Sequence, residues 1–167
     1  MWRSRVALAL LIAPLIASAG CGGSGKTVWV TGKLLKGGAK YVVPKEQSVN
    51  VTLVGLEVQD DSGKSVESGE PFWAEVDQEN ATFSVPGPEG RGIPRGKYRV
   101  AVTQKMLREA FDAAHPQPKK GDRKSASQSV NRETDFLGNK FGLGTSPIIR
   151  EIKGSSELVI DLDKPEG

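Results

Sequence analysis

Apolar and polar residues alternate with a period of two along much of the chain, and the clearest run begins at Tyr98. Tyr98, Val100 and Val102 fall on one side and Arg99, Ala101 and Thr103 on the other, which predicts a strand with one face in a core. Just upstream, Pro94 presets a turn-compatible φ and Gly96 can take a positive one, so a tight reversal is expected to feed the strand. Further short runs over residues 28–34, 40–43, 49–58, 72–77, 81–85, 148–152 and 157–162 predict more strands. In the longest, Val49, Val51 and Leu53 share one face while Val54, Leu56 and Val58 share the other, so a β-bulge is expected near Gly55.

Residues 72–77 and 81–85 read as a hairpin about Gln78-Glu79-Asn80, and Asp60-Asp61-Ser62-Gly63 reads as a turn. One stretch has helical spacing. Met106, Leu107, Ala110, Phe111 and Ala114 recur on one side of residues 105–114 and are expected to lay a short capping helix on the core. Pro116 and Pro118 stop it. Residues 119–133 are polar, basic and aperiodic, as a mobile loop would be, and 136–144 read as an irregular flap tucked on the core. The expected fold is mainly β: a single antiparallel β-sandwich of about seven or eight strands over residues 28–163, with a helix and loop insertion at 105–147. Twenty glycines and ten prolines agree with many turns and few long helices.

The run Ile93-Pro94-Arg95-Gly96-Lys97-Tyr98-Arg99-Val100-Ala101-Val102 resembles the (I/L)-P-x-G-x-Y-x-V-x-V strand of carboxypeptidase regulatory-like domains. These are transthyretin-like or prealbumin-like β-sandwich modules, often carried by small bacterial lipoproteins. The resemblance covers about residues 28–104 and 157–162 and rests on a motif that many sandwiches share. It implies a fold and brings no catalytic residues with it.

The first 20 residues have the layout of an export signal. Arg3 and Arg5 precede an apolar run over residues 6–19 that is too short to span a bilayer comfortably, and small residues Ser18-Ala19-Gly20 come before Cys21. Cys21 is the chain's one cysteine. Ser18-Ala19-Gly20-Cys21 resembles a bacterial lipobox, with Ser18 where Leu is commoner. The resemblance implies that the Cys21 thiol becomes a thioether to diacylglycerol and that its freed amine is acylated, which gives a lasting anchor of several acyl chains. The alternative is an ordinary signal with a leftover cysteine. Residues 21–27 then form a flexible leash that keeps the module close to the lipid, in a cell membrane or outer membrane on the exported side. By the same resemblance, Gly22 after the cysteine favours the outer membrane.

The same residues match the phosphate-cradling pattern G-x-x-x-x-G-K-[ST] through Gly20, Gly25, Lys26 and Thr27. A P-loop must open a helix, whereas Thr27-Val28-Trp29-Val30-Thr31 is β-branched and aromatic, so no nucleotide is expected. Asp60-Asp61-Ser62-Gly63 lacks the regularly spaced oxygen ligands of a calcium loop. Asn80-Ala81-Thr82 fits a glycosylation sequon and is expected to be only a turn.

Side chains able to do chemistry are few. There is one histidine, His115, beside Pro116 at a helix end, where a solvated imidazole is expected rather than a general base. With no second histidine and no free cysteine, no zinc site of the usual kind, no other cofactor and no enzymatic activity are expected. Trp73 follows Phe72 on a strand, so the two face opposite ways. Burial of Trp73 in the core is expected, and its exposure would offer a surface for stacking on a sugar ring. Net charge is +3, and without Arg3 and Arg5 the chain has 21 basic against 20 acidic side chains, which gives no argument for nucleic acid. Charge is instead uneven. Residues 57–79 hold eight acidic side chains against Lys64, and 95–132 hold ten basic against Glu109, Asp112 and Asp122. The basic loop Lys119-Lys120-Gly121-Asp122-Arg123-Lys124 could meet anionic lipid or an acidic polymer, with ordinary solvation as the expectation.

The expected role is thus a membrane-anchored, non-catalytic structural or binding module of the cell envelope, reaching membrane lipid through Cys21 and an envelope protein or glycan through its loops. The alternatives are an envelope carbohydrate-binding module and a hydrolase with an unrecognised carboxylate site.

Overall fold

A computed structural model describes residues 27–114 and 134–166. Cys21, the leash up to Lys26, His115 and the 119–124 loop lie outside these. The chain folds as a mainly β protein in which two five-stranded sheets face each other over one apolar core.

The first sheet is built around β4 (Gln47–Gln59) and β10 (Gly96–Met106), which pair antiparallel from Gly96↔Val58 to Met106↔Gln47. β11 (Ile149–Ile152) flanks β10, while β5 (Ser65–Glu67) and β6 (Pro71–Trp73) flank β4. The second sheet is built around β2 (Val30–Lys36), which lies between β12 (Ser156–Asp161) and β8 (Thr82–Val85). β7 (Glu75–Asp77) sits outside β8, and β3 (Ala39–Lys40) folds back on the end of β2. A small ribbon of β1 (Thr27–Val28) and β9 (Ile93–Pro94) closes one end.

Tyr98, Val100 and Val102 are fully buried, as their alternation predicts, and pack with Val49, Val51 and Leu53 of β4. From the other sheet come Val30, Leu34, Phe83, Val85, Leu158 and Ile160. Burying such rows on both inner faces removes apolar area from water at about 25 cal/mol per Å², the main force joining the sheets. The expected tight reversal is only a bend at Arg95 between β9 and β10; Gly96 has φ of +152°, and a Cβ there would lie 2.2 Å from the Glu57 carbonyl oxygen, so this bend requires glycine. The bulge falls where the pattern puts it. Tyr98 pairs with Gly55 but Lys97 with Glu57, which leaves Leu56 as the extra residue. That extra residue returns Val58 to the core face, while Val54 and Leu56 stay half-buried outside.

Four other expectations are corrected. The helix does not begin at Lys105: β10 runs through Met106, and only Arg108–Ala114 are helical, with no buried residue among them. The strand ladder to Gln47 outcompetes the helical spacing of Met106 and Leu107, and the predicted apolar stripe is not a core cap. Residues 72–77 are not one strand. The chain breaks at Ala74, with β6 pairing β4 in the first sheet and β7 pairing β8 in the second, so this segment is a corner between sheets. Its Ala74 N–H goes to the Val51 carbonyl at 2.9 Å, so the corner leaves no orphaned donor there. The third correction concerns residues 40–43, of which only Lys40 is in a strand. The sandwich is also not wholly antiparallel, because β12 runs parallel to β2 from Ser156↔Val30 to Asp161↔Leu35.

Residues 135–146 form the irregular flap, wedged in by buried Phe141. They satisfy the outer part of β10: Val102 N–H donates to the Phe141 carbonyl, Phe136 N–H to the Gln104 carbonyl, and the Ser146 hydroxyl to the Val100 carbonyl at 2.6 Å.

Candidate functional site

The two ends of the sandwich differ. Near Gly96 lie the β1–β9 ribbon and the start of the described chain at Thr27. Near Met106 lie the loop after β3, the β7–β8 turn and the root of the helix α1 (Arg108–Ala114). At this second end an open groove of about 490 Å³ runs between Lys40, Tyr41, Val42, Val43, Pro44 and Lys45 on one side and Gln47, Gln78, Glu79 and Leu107 on the other. Val42 is 75% exposed and forms part of the apolar wall.

A buried chain of polar groups underlies the groove. Tyr41 donates its hydroxyl hydrogen to Gln104 Oε1, and Gln104 Nε2 donates to Gln47 Oε1. The Gln47 amide nitrogen remains available as a donor at the groove wall. Burial, followed by the Asp135 carboxylate, raises the Tyr41 hydroxyl above its ordinary pKa of 10.0, so this phenol stays a neutral donor. Asp135 is itself buried and accepts three backbone N–H groups, from Gln104 at 2.8 Å, Leu137 at 3.1 Å and Asn139 at 3.0 Å. These bonds hold the flap against β10 and keep Gln104 in place. On the outer rim, Lys40 Nζ donates to the Glu79 carbonyl at 2.9 Å.

Apolar walls with a few fixed amide and ammonium donors suit binding of a partly polar guest. Gln104 was legible as a signal: it is in phase with Tyr98, Val100 and Val102, so a polar side chain points inward where the pattern asks for an apolar one. Sequence reasoning missed Tyr41, Gln47 and Asp135, because they meet only when the ends of three separate segments converge.

Trp73 is 69% exposed, which corrects the expectation of burial: Phe72 takes the core position, and the alternation of β6 turns Trp73 outward. It stands directly across from Thr52, which pairs in turn with Ala101, so the indole edges the outer face of the first sheet. In the next row on that face lie Val54 and Arg99, and the buried Arg99 Nε has no hydrogen-bond partner among the described residues.

The other candidate features are structural. The Asp60 carboxylate is occupied by the Ser62 hydroxyl at 2.6 Å and the N–H groups of Ser62 and Lys64, and these bonds lower its pKa. Asn80 is held in its turn by Asp77, through its N–H at 3.0 Å and its amide at 2.7 Å. Thr27, which ends the P-loop-like stretch, belongs to a strand rather than to the helix such a loop opens. Among the described residues no group of three or more His, Cys, Asp or Glu side chains could hold a metal ion, and no helix is long and apolar enough to cross a membrane. Set against protein-family models, curated proteins and solved structures, the chain matches none. What the geometry defines is a class, the mainly β sandwich protein with open clefts at both ends, of which the one at the Met106 end lies over the buried chain of Tyr41, Gln104 and Gln47.

Proposed function

We propose that this protein is a lipid-tethered, non-catalytic binding module of a bacterial cell envelope, attached through Cys21 and offering its groove to an envelope protein or glycan. The observation that carries the reading is the polarity of the fold. The first strand starts at Thr27, six residues after Cys21, at the Gly96 end of β10, and the groove lies at the Met106 end. Ten residue steps at about 3.3 Å each separate these ends by about 33 Å. A lipid on Cys21 would therefore leave the groove facing away from the membrane. The transthyretin-like resemblance of residues 93–102 agrees with an accessory module rather than an enzyme.

The test is metabolic labelling with a radioactive fatty acid, comparing wild type with Cys21→Ser. Label in the wild type and none in the variant is expected. Equal labelling, or a wild type recovered entirely in the soluble fraction, overturns the reading.

The outward position of Trp73 supports a second reading, a carbohydrate-binding module, because an exposed indole can stack on a pyranose ring. N-acetylglucosamine oligomers titrated against Trp73 fluorescence check it, with Trp73→Ala as the control.

A further inference from the structure

We infer that Trp29 is a second membrane contact, an interfacial foot that orients the module on the lipid to which Cys21 ties it. This inference rests on the anchored reading and adds to it a lipid-facing surface. Trp29 is 54% exposed although its neighbours Val28 and Val30 are buried, so alternation directs the indole outward. Its backbone is clamped on both sides. Val28 pairs with Ile93 in the end ribbon, and Val30 is held between Ser156 and Val85. The indole is thus fixed on a rigid element and is not carried on a loop.

Trp29 is eight residue steps from Cys21, which at about 3.6 Å each places it within about 29 Å of the lipidated end even at full extension. An indole at that range finds a favourable place at the headgroup level, where its ring is partly dehydrated and its N–H still meets water. At this end Arg91 pairs with Glu89 at 2.7 Å and Lys153 with Glu151 at 3.2 Å, so these two cations are neutralised locally and the contact is assigned to the indole. The contact is therefore expected to be insensitive to salt, unlike a polybasic attachment.

The three tryptophans of the chain make the test direct. The full chain is expressed with its own leader in a Trp2→Phe background, extracted in detergent and reconstituted into phosphatidylethanolamine and phosphatidylglycerol vesicles containing brominated acyl chains. With Trp73→Phe added, Trp29 is the only emitter, and its fluorescence is expected to be quenched and blue-shifted at low and high salt alike. With Trp29→Phe instead, Trp73 is the only emitter and is expected to stay unquenched, since it lies on the outer face of the other sheet. An unquenched Trp29, or quenching abolished by salt, overturns the inference. Fatty-acid labelling of the same preparations separates the two failures. Label on Cys21 without quenching sinks the foot and leaves the anchor standing, whereas absence of Cys21-dependent label sinks both.

Discussion

The carboxylate of Asp135 accepts the backbone N–H of Gln104 at 2.8 Å, across 31 residues of sequence, and through this bond the flap becomes part of the first sheet. The same buried carboxylate also accepts from Leu137 and Asn139, so one side chain satisfies three donors. Asp135→Ala should therefore cost about 2 kcal/mol, because it strands the buried Gln104 N–H and loses two part-buried bonds. Urea unfolding measures it. Asp135→Asn, which keeps an acceptor oxygen, should lose less; equal losses would mean that the flap is held by Phe141 packing alone.

Tyr98 is fully buried, stands edge-on to Phe72 with ring centroids 6.1 Å apart, and donates its hydroxyl hydrogen to the Pro94 carbonyl at 2.6 Å. Tyr98→Phe keeps the ring and removes the bond, for an expected loss of about 1 kcal/mol. Burial first, then the Glu70 charge, raises this phenol above its ordinary pKa of 10.0. A raised acid stays neutral in the fold while the unfolded chain ionises. Its contribution is thus fully present below pH 10 and is lost as pH climbs beyond that value. The urea midpoint should fall above pH 10, and less steeply in Tyr98→Phe; identical slopes would remove Tyr98 from the account.

Gly32 lies between its partners Phe83 of β8 and Leu158 of β12 in the second sheet. A Cβ there would lie 2.2 Å from Cζ of Phe83 and 2.6 Å from the Leu158 carbonyl oxygen. Gly32→Ala should destabilise by about 2 kcal/mol or more through overpacking, since a buried ring and a backbone oxygen have little room to retreat. Thermal unfolding followed by far-ultraviolet circular dichroism is the measurement. An unchanged midpoint would show that the sheet yields there.

Asp161 ends β12 and spans to the β2–β3 turn, where its oxygens accept the N–H groups of Gly37 at 3.0 Å and Gly38 at 2.8 Å. Bonding to the Asp163 N–H first, then to Gly38 and Gly37, lowers its pKa below 3.8. A lowered acid stabilises above its ordinary value and loses that contribution as pH falls through the folded one. Asp161→Asn should therefore flatten the acid limb of stability at and below about pH 3.8. The comparison is unfolding midpoint against pH for both proteins, and parallel curves would reject it.

Trp73→Ala should leave the unfolding free energy within about 0.5 kcal/mol of wild type, as for an exposed side chain with no core contact, while removing any stacking on N-acetylglucosamine oligomers. A large loss of stability would mean that the indole shields the Thr52 and Ala101 row.

The strand content, the inward row of Tyr98, Val100 and Val102, the bulge near Gly55 and the need for glycine at position 96 are all legible in the chain itself. Each is set by alternation or by a φ that only one residue type takes readily, and both act over a few neighbouring residues. The resemblance of residues 93–102 and the sole cysteine behind an apolar run are likewise matters of local order in the sequence. Only the tertiary structure decided that β10 continues through Met106, that the chain turns a corner at Ala74, and that β12 runs parallel to β2, because each depends on which distant strand offers a ladder of hydrogen bonds. For the same reason Tyr41, Gln47, Gln104 and Asp135 form one buried polar chain beneath a groove. Their separations in sequence are bridged by packing, and no periodicity encodes where strand ends will meet.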